Sequence, residues 1–252
     1  MSEEFNETLH HMIDDNEKIN RTLRTIISDE FVKNGYEKTP RHPTEQLFLK
    51  EVANHQMAIL RDDGVNRHVR FRQPNTNAFM FEIITWPGYL CFCGDMGTYV
   101  FSRIDDMFQF FRMDPERMPL TGGNTLPINP SYWGEKLVAE STFGHGYKTF
   151  SADKFREAVK HAFDSYVEGK EEVTPEADAD LWQEIESLVL ADVDNEYAAM
   201  YCLSEFRSGE FEFTDYSEYN LKDYTWHFIW CCYALVWAIK QYDEARQQRE
   251  AA

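Results

Sequence analysis

Phe79–Arg112, FMFEIITWPGYLCFCGDMGTYVFSRIDDMFQFFR, decides the fold. Phe79–Trp86 is apolar on both faces, the pattern of a central strand covered on both sides. Pro87-Gly88 suits the central positions of a type II turn, where proline presets φ and glycine takes a positive one. Tyr89–Cys93 returns, Gly94-Asp95-Met96-Gly97 turns again, and Thr98–Arg103 makes a third strand. Asp105 is placed to cap a helix whose apolar content is Met107, Phe108, Phe110 and Phe111.

Working outward, Arg67–Gln73 alternates with period two: Val69 and Phe71 on one face, His68, Arg70 and Arg72 on the other. Met57–Arg61 pairs with it through the turn Asp62-Asp63-Gly64. Strands joined by short turns make an antiparallel meander. Before it, residues 6–33 carry helical periodicity and Thr44–Asn54 a short helix. After it, residues 114–130 hold four prolines and two glycines, a long loop,. Helices then follow over Tyr132–Glu140, Ser151–Val167, Pro175–Asp192, Asn195–Ser208 and Leu221–Gln247. Ser151 and Thr174 stand at caps, and Pro175 at a first helical position. The closing helix is apolar all round from Trp226 to Ile239, so it belongs inside. The expected fold class is α+β: an antiparallel meander in the first half covered by helices, then a mainly helical second half with a buried C-terminal helix. One domain spans 1–252, with a helical segment over 1–55, the sheet over 56–104 and the helical remainder over 105–252.

At 252 residues, 43% hydrophobic and 15% aromatic, the chain can bury a large core without disulfides or metals,. Met1–Asn20 is polar and acidic, which excludes a secretory signal. The longest apolar run, Phe228–Ile239, falls short of the roughly 20 residues a membrane span needs. The expectation is a soluble protein of the cytoplasm. Five cysteines without a signal read as reduced thiols, with Cys91 and Cys93 as small hydrophobes on one strand face and Cys231 and Cys232 inside the last helix.

The net charge of −19 is concentrated. Residues 164–223 hold 18 acidic side chains against Lys170, Arg207 and Lys222, a balance of −15. Such helices are ordinarily solvated surface. Carboxylates on rigid helices also imitate DNA phosphates, and Glu171, Glu172, Asp178 and Asp180 are the candidate partner contacts. The sign of this charge disfavours direct DNA binding by the region.

No phosphate-binding glycine loop, nucleophile elbow or HExxH is present. The reading therefore favours a binding protein over an enzyme, with no cofactor and no metal. The basic strand face, His68, Arg70 and Arg72 with Arg61 and Arg67 beside it, is the candidate ligand site, and Asp95 could stand near it. Three cations on one face need an anion between them. That anion is either a phosphate-bearing ligand or the protein's own carboxylates, Asp62, Asp63 and Asp95. Asp95, Asp105 and Asp106 read better as turn and cap residues than as magnesium ligands, and His145 reads as a turn residue.

His68-Val-Arg-Phe-Arg-Gln-Pro74, Trp86-Pro-Gly-Tyr-Leu90, Gly94-Asp-Met-Gly97, Phe101-Ser-Arg103 and Asp106-Met-Phe108 together resemble a family of uncharacterised proteins of tailed bacteriophages. Asn129-Pro-Ser-Tyr-Trp133 and His227–Trp237 fit the same pattern, so the resemblance covers about residues 54–243. It implies a phage accessory protein and brings no catalytic residues. The expected function is binding and inhibition of a host factor, such as a defence or DNA-processing system, through the acidic helices. The alternative is a nucleotide- or nucleic-acid-binding protein, enzyme or sequestering, using the basic strand face.

Overall fold

Period-two burial along the first half lays out an antiparallel sheet of six strands in sequence order: β1 (Gln56–Asp63), β2 (Asn66–Arg72), β3 (Phe81–Trp86), β4 (Tyr89–Gly94), β5 (Gly97–Ser102) and β6 (Leu137–Glu140). The computed structural model describes residues 41–112, 125–141, 146–170 and 175–251. The helix expected over 6–33, part of the 114–130 loop, Thr174 and His145 lie outside them. His42–Ala252 forms one unit with two hydrophobic clusters. The fold is α+β.

On β2, β3 and β4 the residues Val69, Phe71, Phe81, Ile83, Leu90 and Phe92 are fully buried, and the intervening residues are half-buried or exposed. β3 is central in strand order, yet Glu82 and Ile84 keep solvent contact, so the expected double-sided cover is incomplete. The turns follow their chemistry. Gly88 has φ +84°, as the second central position of a type II turn requires,. At Gly94 a Cβ would meet the Met80 carbonyl oxygen at 2.2 Å. Gly94→Ala should therefore cost roughly 1–3 kcal/mol, as forced overpacking does, read as a lowered urea midpoint.

Helices cover the sheet's inner face. In α1 (Glu45–Glu51), Thr44 accepts from the Leu47 N–H as N-cap. Glu45 is buried and takes the N–H groups of Thr125 and Leu126, tying the end of the long loop to this helix. Burial works to raise its pKa, but these bonds and the Thr125 hydroxyl overcome it, so Glu45 titrates below the usual range. The cap of α2 (Met107–Phe111) is Asp106, not Asp105, and the Asp106 carboxylate accepts from the Phe108 N–H. The helix expected over 132–140 splits into α3 (Pro130–Gly134) and strand β6, because Ser102, Thr98 and their neighbours offer an open sheet edge. Edge pairing overrides a weak helical pattern.

The C-terminal helix α7 (Trp226–Glu250) is buried along its first half. Phe228, Trp230, Cys231, Cys232, Ala234 and Leu235 are each 0% exposed. Lys222–Tyr224, expected to begin this helix, is instead strand β10, paired with β7 (Lys148–Phe150). This ribbon leads to the second cluster, built by α4 (Ala152–Glu168), α5 (Pro175–Leu188), α6 (Glu196–Glu205) and the short hairpin of β8 (Arg207–Ser208) with β9 (Phe211–Glu212). Ser151 and Asn195 cap α4 and α6. Among the described residues no helix is long and apolar enough to cross a membrane.

Candidate functional site

The register of β1, β2, β3 and β4 assembles the outer sheet face around one carboxylate. Arg70 stands opposite Glu82, and Glu82 opposite Cys93. Arg70 Nε donates to Glu82 Oε1 at 2.6 Å, and His68 Nε2 meets Oε2 of the same group. Burial works to raise the Glu82 pKa, but bonds to His68 and Arg70 and their charges hold it below the usual carboxylate range. Glu82 is therefore the anion that this basic face needs. Glu82 is the single acid in the run Phe81–Trp86, and only the register of β3 against β2 sets it across from Arg70.

The remaining expected members of this site separate. Arg72 is exposed and donates to the Thr76 carbonyl at 3.1 Å. Arg61 does reach the face, because a bulge between Ile59 and Arg61 sets it opposite His68, where it pairs with Asp63. Asp62 instead accepts from the Tyr242 hydroxyl at 2.6 Å. Asp95 serves the backbone: its Oδ2 accepts from the Phe79 N–H at 2.8 Å, while His55 Nε2 contacts the Phe79 carbonyl at 2.9 Å. Phe79 has φ +57°, a left-handed conformation costly for a bulky residue,. Asp95 thus holds a strained turn.

Arg67 is the clearest correction. It does not join the basic face but shares the inward parity of Val69 and Phe71, and is 4% exposed. Its Nη1 and Nη2 bond the two Asp106 oxygens at 2.8 and 3.1 Å. The guanidinium lies 4.7 Å from the Phe108 ring centroid and 5.7 Å from that of Tyr242. This is a structural pin between sheet, α2 and α7.

All five cysteines are free. Cys91 and Cys93 are half-buried and in thiol–thiol contact. The Cys93 bond pulls the Cys91 pKa down, and the same bond pushes that of Cys93 up. Among the described residues no group of three His, Cys, Asp or Glu side chains is arranged to hold a metal ion. An open cleft of about 530 Å³ lies on the helix layer, lined by Phe111, Arg112, Thr125, Val236, Lys240 and Asp243 among others. There Arg112 is already engaged in a two-pronged pair with Asp243 at 2.8 and 2.7 Å.

The acidic region is the other candidate. Glu171 and Glu172 lie outside the described residues. Asp178 is 8% exposed and paired with Lys170, so it faces into the lobe rather than toward a partner. Asp180 is exposed, as are Glu176 on the same helix, Glu205 on α6, and Glu210, Asp215 and Glu218 beyond it. Tyr197 and Tyr201, unremarked in the sequence, are 83% and 60% exposed.

Comparison with protein-family models, curated proteins and solved structures returns no match to this chain. Two surfaces stand as candidate sites. The strand face is compensated from within by Glu82, whereas in the lobe α4 carries its own Lys154, Arg156 and Lys160 but α5 and α6 carry carboxylates and no lysine or arginine.

Proposed function

We propose that this chain is a binding protein, a phage accessory product that occupies a basic surface of a host factor through its acidic helical lobe and so inhibits a defence or DNA-processing system. The observation that carries the reading is the lobe itself. Its own buried cluster, with Val159, Ile185, Val189, Ala199 and Leu203 at 0% exposure, makes a rigid platform, and Glu176, Asp180 and Glu205 stand outside it. Carboxylates fixed on packed helices present charge without first being ordered, which lowers the cost of association. Glu82 supports the same choice from the other side. It already occupies the place a phosphate would take between His68 and Arg70.

Changing Glu176, Asp180 and Glu205 to lysine tests this reading. Exposed charges act chiefly on encounter rate, and electrostatic steering contributes on the order of 10-fold to 1000-fold. The partner captured from phage-infected cells should bind the wild-type protein with a steep salt dependence. It should bind the triple variant at least tenfold more slowly at low ionic strength, with the melting temperature retained. Equal association rates for the two proteins, or a rate indifferent to salt, would overturn the reading.

A further inference from the structure

One face of α6 buries Ala199 and Leu203 in the lobe, and another leaves Tyr197 and Tyr201 in water. The two rings stand four residues apart, and residues at that spacing are neighbours on a helix surface. Glu205 lies four residues after Tyr201 on the same helix, and Asp194, just before the Asn195 cap, lies three before Tyr197, so an exposed carboxylate stands near each end of the ring pair. Two large side chains held in water on a helix this well packed call for a partner. Tyrosine is a residue that interfaces favour, since it combines an apolar ring with low conformational entropy.

The same lobe shows what such combinations hold. Lys160 Nζ lies 5.3 Å from the ring centroids of both Phe163 and Trp182 and pairs with Asp164. Lys170 Nζ lies 4.6 Å from the Tyr166 centroid and pairs with Asp178. In both places a cation sits on an aromatic face with a carboxylate closing the pair. At α6 the two rings stand between two exposed carboxylates, and no described lysine or arginine lies over Tyr197 or Tyr201.

We propose that the Tyr197–Tyr201 stripe anchors an arginine-rich segment of a partner protein. Guanidinium groups lie flat on the two rings, and Asp194 and Glu205 take their N–H donors. Arginine fits better than lysine because its planar, weakly hydrated head stacks on a ring while its edge bonds carboxylates. A nucleic acid or an anionic membrane is repelled by the surrounding charge. The inference rests on the acidic-lobe reading and places the centre of contact within it.

Titration calorimetry of the full chain with oligo-arginine and oligo-lysine peptides of equal length tests the stripe. The arginine peptide should bind more tightly. Tyr197→Ser with Tyr201→Ser should weaken it by about tenfold, the sum expected for two exposed cation–π contacts. Tyr197→Phe with Tyr201→Phe should retain binding. Exposure of both rings predicts unchanged melting temperatures for all four substitutions. Arginine and lysine peptides of equal affinity, or a serine variant that binds as the wild type does, would overturn the anchor. If Glu176→Lys with Asp180→Lys then still weakens both peptides, the acidic-lobe reading stands without the stripe. If neither change alters binding, both fall.

Discussion

Trp230→Ala should lower the stability of the protein by roughly 3–5 kcal/mol, the range for truncating a buried tryptophan. Trp230 is 0% exposed, at the centre of the larger cluster. Its ring meets Phe48 edge-on at 5.0 Å and Phe81 at 5.7 Å, and stacks on Phe79 at 6.0 Å. Its Nε1–H donates to Glu51 Oε2 at 2.8 Å, which links α7 to α1. Removing the indole therefore opens a cavity, deprives Glu51 of its donor and takes away the ring against which the left-handed Phe79 is packed. Trp230→Phe keeps most of the volume and loses the hydrogen bond, so it should cost markedly less. Urea midpoints measure both. An alanine variant that unfolds near the wild-type midpoint would show that α7 is not the keystone of this core.

Such a role for Trp230 was readable from the sequence, because a helix apolar on every side has only the interior to occupy. The meander was readable for a similar reason. Pro87-Gly88 and Gly94–Gly97 each permit only tight turns, and period-two alternation then fixes which side chains face inward. The sixth strand escaped because Leu137–Glu140 has no strong local preference, and only the open edge of β5, distant in sequence, selects it. β7, β10 and the β8–β9 hairpin, each two or three residues long, were missed for the same reason. For the basic face, parity alone sets His68 and Arg70 together. Recognising Glu82 as their counter-ion needed the pairing of β2 with β3, which composition does not carry. Arg67 shows the limit most clearly. Its charge suggested the outer face, although its parity with Val69 and Phe71 already placed it inside.

That buried arginine gives the last expectation. Burial works against the Arg67 charge, but Asp106 more than offsets it and keeps the guanidinium protonated. For Asp106 burial likewise works to raise the pKa. The Arg67 bonds and charge and the Phe108 N–H overcome it and hold the carboxyl below its usual range. Asp106→Asn retains an oxygen to cap α2 but leaves Arg67 charged and unneutralised. It should cost roughly 3 kcal/mol, the low end for breaking a buried pair, since the Asp106 side chain is 29% exposed,. Arg67→Met should fall in the same range, and combining the two should cost clearly less than their sum, because the double variant leaves no uncompensated charge. A carboxyl with a depressed folded pKa binds its proton less readily folded than unfolded. Its stabilisation is complete above the unfolded value of about 3.9 and disappears as pH falls through the folded value. In urea titrations from pH 7 to pH 2, Arg67→Met should thus shrink the acid-induced loss of stability below about pH 4, leaving the part due to Glu45 and Glu82, whose pKa values are also lowered. Strict additivity of the two single changes, or an acid limb identical to wild type in Arg67→Met, would show that the pair contributes geometry without electrostatic coupling.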